Sequence, residues 1–217
     1  YMTNLETNMN IKLPEPTLRR LPWYLAYVKL VQGKGAEYIS STQISKAINV
    51  DSSQIAKDLS FINISGKTRV GYEVNSLVDV LEDFLGFTSR HRAIVYGVGR
   101  LGAALMQDSG LLQYGLDVVA GFDVRELSDN ANVNGIPVFH VSQFAERRAA
   151  LDAKIGILTV PVECAQEATD YMVSHGIKAI WNFTPYRIHV PENVVIQNTS
   201  IYAHLAVMFN RMNNITE

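Results

Sequence analysis

A single cysteine, Cys164, stands among 217 residues, so no disulfide can close within the chain and no cysteine cluster can hold zinc. That scarcity fits a reducing compartment. No apolar run approaches the roughly 18 residues that a membrane-spanning helix needs, and the first dozen residues are polar rather than a charged start followed by an apolar stretch. A soluble, cytoplasmic, unexported protein is the expectation. The five histidines (His91, His140, His175, His189, His204) lack the three- or four-residue spacing of a metal pair or a catalytic dyad. No metal site and no catalytic residues are expected. Excess charge of one sign is missing too: 19 Lys and Arg against 21 Asp and Glu leave −2, which excludes a uniformly basic nucleic-acid coat. With 47% apolar residues, the chain can bury a core in one large or two small domains.

The charge that is present is unevenly placed. Residues 12 to 72, from Lys12 to Arg69, carry nine basic and four acidic side chains, whereas residues 73 to 217 carry ten basic and sixteen acidic ones. Such asymmetry points to a nucleic-acid partner for the basic part, with two ordinary solvated surfaces as the plain alternative.

In the basic part, Leu18, Leu21, Leu25 and Val28 recur at helical spacing, which predicts a helix from Thr17 to Gln32. Pro22 belongs near its start, because a proline deeper inside breaks the ladder. Gly33 and Gly35 end it. Ser41 is placed to cap a short helix from Thr42 to Asn49 with Ile44, Ala47 and Ile48 inward. After a break at Val50 and Asp51, a third helix runs to Ile62 with Ile55, Leu59 and Ile62 inward and Ser53, Gln54 and Lys57 outward. Two short helices joined by a tight turn make a helix-turn-helix. The glycine-bounded, basic stretch from Ser65 to Val74 reads as a two-stranded wing. In such a module Ser52, Ser53, Gln54 and Lys57 meet base edges and phosphates in the major groove, and Lys67 and Arg69 reach flanking phosphates or the minor groove. A three-helix protein-contact domain would share this pattern.

Leu77, Leu81, Phe84 and Leu85 then predict a linking amphipathic helix from Asn75 to Phe87, ended at Gly86. Here the architecture changes. A buried strand from His91 to Tyr96 runs directly into Gly97-Val98-Gly99-Arg100-Leu101-Gly102 and a helix through Gln107, which is the dinucleotide fingerprint in its required context. The first glycine permits the turn, the second lets the backbone approach a pyrophosphate, and the third lets helix pack on strand. A second strand, Asp117 to Asp123, ends in an acid 21 positions after Gly102. Asp123, with Val124 beside it, is placed to hold an adenosine ribose and repel a 2′-phosphate, so NAD(H) is favoured over its phosphorylated form, although Arg125 nearby weakens that preference. A Rossmann-like domain for another nucleotide, such as coenzyme A, or for none, would carry the same motif.

Alternation continues through strands at Ile136–Phe139, Ala153–Val160, Lys178–Phe183 and Val194–Gln197 and helices at Ser142–Ala150 and Val162–His175, which predicts a parallel sheet. The loops Thr159-Val160-Pro161 and Asn182-Phe183-Thr184-Pro185 fall at carboxyl ends of strands and are the expected nicotinamide end. Cys164 reads as a small buried hydrophobe. A last helix, Thr199 to Met212, is too apolar for a free tail and either covers its own sheet or packs on another subunit.

The order of parts resembles the Rex family of redox-sensing transcriptional repressors. The matching segments are Pro14-Glu15 with Arg20-Leu21-Pro22, Lys57-Asp58-Leu59-Ser60, Gly66-Lys67 with Val70-Gly71-Tyr72, Gly97 to Gly102, Phe122-Asp123-Val124, Gly135-Ile136-Pro137-Val138, Ile157 to Pro161, and Gly176-Ile177-Lys178 with Ile180 to Phe183. They span nearly all of residues 13 to 212. The resemblance implies a winged helix-turn-helix domain (12–87), a Rossmann NAD(H)-binding domain (88–198) and a C-terminal dimerisation helix (199–213) exchanged between subunits. It adds Ser60 and Tyr72 to the DNA-binding residues. It implies a homodimer on an inverted-repeat operator, released when NADH favours a closed state by its differential affinity.

Departures cluster at the switch. Ala56 stands where many members carry an arginine, and Arg69 where the wing usually has glycine. A first-helix arginine aligns with Ala26, a tyrosine near the nicotinamide with Asp108, and the aspartate opening the exchanged helix with Ser200. Losing an arginine together with its aspartate leaves neither charge unpaired. The expectation is that fold, dimer and NAD site are kept while redox discrimination is reduced or reached through other contacts. Two other classes stay open: an NAD-dependent dehydrogenase with an appended basic domain, and a winged-helix regulator that reads a different ligand.

Overall fold

The computed structural model describes residues 13–126, 128 and 130–215; Lys12, at the start of the expected DNA-binding domain, lies outside them. The chain divides between Ser89 and Arg90 into two units.

In the first unit, α1 (Glu15–Gln32) carries Pro16 in its opening turn, where an absent N–H leaves no bond unmade. Pro22, expected near the start, lies well inside the helix. It withholds a bond from the Leu18 carbonyl, and Leu18, expected on the buried stripe, is 43% exposed. The buried stripe is instead Thr17, Leu21, Tyr24, Leu25 and Val28. After β1 (Tyr38–Ile39) comes α2 (Ser41–Ile48), capped by Ser40 rather than Ser41: the Ser40 hydroxyl accepts from Gln43 N–H while the Gln43 side chain accepts from Ser40 N–H. Ile44 is buried, but Ala47, expected inward, is exposed. Asn49 ends α2 in the left-handed conformation, and Asp51 caps α3 (Ser52–Ser60) by accepting from Ser53 and Gln54 N–H. Ile55, Leu59 and Ile62 turn inward as expected.

The wing is smaller than the sequence suggests. Lys67 and Gly71 form a single antiparallel bridge around Arg69, whose φ is 65°. The following β2 (Tyr72–Glu73) pairs with β1, not with the arm before the turn, setting Ile39 opposite Tyr72. A Cβ on Gly71 would lie 2.4 Å from the Ile39 carbonyl oxygen, at φ +103, so only glycine carries the chain from wing into strand. Helix α4 (Val74–Phe84) buries Leu77 and Leu81 but leaves Phe84 exposed, and Gly86 follows it at φ 74°.

The second unit opens with β3 (His91–Tyr96), α5 (Arg100–Gln107), α6 (Ser109–Gln113) and β4 (Leu116–Asp123). It continues through β5 (Asn132–Val133), β6 (Ile136–His140), α7 (Phe144–Leu151), β7 (Ile155–Leu158), α8 (Ala165–Ser174), β8 (Ala179–Asn182), β9 (Val195–Asn198) and α9 (Ile201–Asn213). The strands lie in the order β5-β6-β4-β3-β7-β8-β9, parallel except for the β5–β6 hairpin. From β3 the chain moves outward to β4 and β6, then crosses through α7 to β7 on the other side, so the order reverses between β3 and β7. A crevice opens at their carboxyl ends. Phe144 of α7 anchors one face, edge-on to Phe122 at 4.9 Å and to Tyr96 at 5.5 Å. The short elements α6 and β5 go beyond the expected alternation.

Helix α9 does not cover its own sheet. Ser200 caps it by accepting from Ala203 N–H, yet none of its residues is buried, and Ile201, Tyr202, Val207, Met208 and Phe209 are each about half exposed or more.

Candidate functional site

The glycine loop divides its tasks as the motif predicts. Gly97 turns at φ +98, where a Cβ would press within 2.9 Å of Val160 and 3.0 Å of the Thr159 backbone. A Cβ on Gly102 would meet the Gly97 carbonyl oxygen at 2.3 Å and Thr159 Oγ1 at 2.9 Å. At Gly99 nothing lies within 4 Å, so the chain is bare where the N-terminus of α5 begins and a ligand's phosphate can approach. The Thr159 hydroxyl ties the loop down by donating to the Gly97 carbonyl at 2.6 Å.

This loop forms one edge of a cavity of about 760 Å³, within the range of roughly 300–1,000 Å³ for cofactor sites. Of the sequence-predicted residues, Gly97, Gly99, Asp123, Val124, Thr159, Val160 and Pro161 line it. Val98 is buried beneath the loop, close to Gly121, and Gly102 sits where helix meets strand. Arg100 and Leu101 lie on α5 outside the lining.

Asn182, Phe183 and Pro185, expected at the nicotinamide end, do not reach the cavity. The buried Asn182 side chain donates to the Tyr186 carbonyl and Asn198 Oδ1 while accepting from Thr184 N–H and Oγ1. Phe183 packs against Trp181 with ring centres 4.6 Å apart and planes tilted by 47°. That loop is a bracket holding β8 to β9. Further lining comes from Cys164 on the turn entering α8 and from Glu167, Ala168 and Tyr171 on α8, at helical spacing, with Tyr96, Phe122, Arg125, Val141 and Ser142 completing the wall. Cys164 is exposed rather than a buried hydrophobe, because it falls on the turn entering α8 and not on its inward face. Burial, with Tyr171 and Glu167 nearby, pushes the Tyr96 hydroxyl up to about 12, so it stays protonated.

Asp123 is almost fully buried, and both its oxygens are engaged. Oδ2 accepts from Val98 N–H at 2.7 Å, and Oδ1 accepts from Arg125 N–H and Nε at 3.0 and 2.9 Å. A longer bond, 3.3 Å, runs from Arg125 Nη2 to Oδ2. Burial alone would raise this carboxyl, but the Arg125 side chain and the two backbone donors outweigh it and hold Asp123 below the usual carboxylate range. The acid therefore braces the glycine loop, and Arg125 covers the oxygens expected to meet a ribose.

In the first unit, Ser53, Lys57, Ser60, Lys67 and Arg69 are exposed, and Ser52 and Gln54 are half-buried. Ser53 Oγ donates to Asp51 and Ser60 Oγ to the Lys57 carbonyl. Lys67 Nζ donates to the Tyr38 hydroxyl and lies 5.2 Å above that ring's centre. Tyr72, expected at the DNA, is 7% exposed and belongs to the core, since its strand position opposite Ile39 turns the ring inward.

A residue without an expected role, Asp58, organises this surface. Its buried carboxylate accepts Thr17 Oγ1, Arg20 Nη2 and Gln54 Nε2 on Oδ1, and Arg20 Nε and the Tyr24 hydroxyl on Oδ2, all within 2.6–3.0 Å. Burial works against its charge, but the bonds from Arg20, Tyr24, Gln54 and Thr17 win and keep it below the usual range. Burial first, and then its hydrogen bond to the Asp58 carboxylate, hold the Tyr24 hydroxyl well above its ordinary value.

The aligned switch positions have local duties. Asp108 caps α6 by accepting from Gly110 N–H, Ser200 caps α9, and Ala26 is exposed on α1.

Residues 12–60 match the family described as "Putative DNA-binding protein N-terminus", and residues 88–186 match "CoA binding domain". A protein of Bacteroides thetaiotaomicron described as redox-sensing transcriptional repressor Rex is 63% identical over 202 residues, spanning 93% of this chain and 92% of its own. One from Porphyromonas gingivalis under the same description is 58% identical over 99% of this chain and 98% of its own. Among solved structures, RSP in complex with beta-NAD+ and operator DNA superposes with a TM-score of 0.88 at 30% identity, covering 94% of each chain. RSP in complex with beta-NADH gives 0.84 at 30% identity, over 94% of this chain and 96% of that one.

Proposed function

The chain belongs to the Rex family of redox-sensing transcriptional repressors, and from that premise we propose how its parts work together. It is an NADH-responsive, DNA-binding repressor whose cofactor is NAD(H) and whose partner is double-stranded operator DNA. The observation that carries this is the likeness, over 94% of both chains, to a protein solved with beta-NAD+ and operator DNA. The regulators it matches support reading the nucleotide as a signal rather than as a substrate, and so a non-enzymatic protein of the cytoplasm.

Residues 12–87 are the DNA-binding part, 88–198 the nucleotide-binding part and 199–213 the dimerisation helix. The α9 side chains left in water support a homodimer, since a contiguous apolar face of this kind marks a contact site, and an inverted repeat is read by a two-fold partner. NAD(H) would lie across the carboxyl ends of β3, β4 and β7. Gly99 and the start of α5 take the pyrophosphate, Thr159, Val160 and Pro161 the nicotinamide side, and Asp123 and Val124 the adenosine ribose once its hydroxyls displace the longest Arg125 bond. When bound, the nicotinamide supplies the redox state being read. Ser52, Ser53, Gln54, Lys57 and Ser60 face the operator's major groove, and Lys67 and Arg69 its backbone.

The direct test is fluorescence anisotropy on an inverted-repeat duplex at one fixed near-physiological salt, titrated separately with NAD+ and NADH. NADH is expected to release the duplex and NAD+ to spare it. Binding indifferent to both nucleotides would overturn the redox reading. With Ala26, Asp108 and Ser200 in place of the family's switch residues, that response has to arise from other contacts in the cavity.

Lys67 gives a second expectation. Lys67→Ala should weaken binding evenly across sequences and reduce the slope of log affinity against log salt by about 1. An unchanged salt slope would remove Lys67 from the phosphate contacts.

A further inference from the structure

We propose that Gln54 reads an adenine in the operator and that Asp58 is the positioning residue that sets its amide for the task. The inference rests on the operator-binding reading and specifies which base pair one side chain recognises. Gln54 Nε2 lies 2.8 Å from Asp58 Oδ1. An ionised carboxylate only accepts, so the amide must turn its NH2 towards Asp58; the reverse orientation would set two acceptors against each other. Asp58 cannot turn away to release it. Thr17, Arg20 and Tyr24, all on α1, hold the carboxylate through four further bonds.

The side chain is therefore left with its carbonyl oxygen and one N–H for an outside partner. It stands on α3 between Ser53 and Lys57, both exposed. An adjacent acceptor and donor match adenine, which offers the N6 donor beside the N7 acceptor in the major groove. Guanine offers two acceptors there and leaves the amide oxygen facing one of them. A free glutamine spends entropy choosing among rotamers and amide orientations, whereas this one is already set.

The test uses the full chain and an inverted-repeat duplex that the wild-type protein selects from a randomised pool. Each pair of the half-site is then changed, A·T to G·C and G·C to A·T, symmetrically and one at a time, at fixed salt. Wild type should lose about tenfold or more at one A·T position, and Gln54→Ala should distinguish that position by less than about twofold while keeping the rest of its profile. Asp58→Asn, where it folds, should blunt discrimination at the same position, because an asparagine amide can meet Gln54 with either end. A merely structural role would weaken all duplexes alike. A Gln54→Ala profile parallel to wild type, or a Gln54-dependent position that is G·C, overturns the adenine assignment alone. If wild type selects no duplex, the operator reading falls with it.

Discussion

Gly102→Ala is expected to lower NADH affinity by at least about tenfold and to leave a repressor that holds its operator at NADH concentrations that release the wild type. The added Cβ would sit 2.3 Å from the Gly97 carbonyl oxygen, and that oxygen cannot retreat. It accepts the Thr159 hydroxyl at 2.6 Å, and Gly97 N–H donates to Phe122 O at 2.8 Å. The methyl also meets Thr159 Oγ1 at 2.9 Å and Val95 at 3.0 Å. Helix α5 must lift from β3, carrying Gly99 and the helix N-terminus away from the pyrophosphate position. Overpacking of this kind typically costs about 1–3 kcal/mol. Gly99→Ala is the informative companion, because nothing lies within 4 Å of its Cβ. It should melt close to wild type yet still lose NADH. Nucleotide titration and thermal melting of both variants separate the two causes. Wild-type NADH affinity in Gly102→Ala would show that the helix does not carry the phosphate site.

The helix-turn-helix, the glycine motif and the parallel run of β3, β4, β6, β7, β8 and β9, though not their order in the sheet, are legible because each rests on local chemistry. A capping side chain, an apolar period or a glycine forced by close approach leaves its mark within a few residues of sequence. What escaped the sequence depends on distant partners. Tyr24 joins the α1 core because Asp58, 34 positions away, takes its hydroxyl. Asn182 looks like a ligand group at a strand end, but Asn198 and the turn at Thr184 to Tyr186 occupy its amide. Tyr72 carries the family's wing motif, and its burial follows from pairing with Ile39, a choice of strand partner that no local pattern encodes. Two misses were readable. Asn134-Gly135, at φ 51° and 82°, is the favoured two-residue hairpin turn and announces the β5–β6 pair. The spacing of Cys164, Glu167, Ala168 and Tyr171 likewise marks one face of a helix, and it is the face turned to the cavity.

Asp58→Ala is expected to destabilise the first unit by about 3–5 kcal/mol, the usual loss when one partner of a buried ion pair is removed. Against typical total stabilities of about 5–15 kcal/mol, that removes most of the stability of a unit at the low end of the range and about a third of it at the high end. The arithmetic follows from what is left behind. The Arg20 guanidinium, 22% exposed, loses both of its bonds to the carboxylate, and the Tyr24 hydroxyl, on a fully buried ring, loses its acceptor. Asp58→Asn should lose less, because an amide oxygen still accepts while its NH2 confronts donors. The pH dependence has a definite sign. Asp58 is held below its unfolded value of about 3.9, so its contribution is complete above that pH and is lost as pH falls through the lower folded value. Wild type should therefore lose stability below about pH 4 more steeply than Asp58→Asn, which has no such proton to take up. Urea unfolding with NADH present, to hold the second unit folded, isolates the transition of the first. A midpoint in Asp58→Ala within error of wild type would mean that Arg20 and Tyr24 find other partners. A drop confined to the first unit would mean that the recognition helix is held to α1 chiefly through this carboxylate, so the residue that sets Gln54 also sets the helix that carries it.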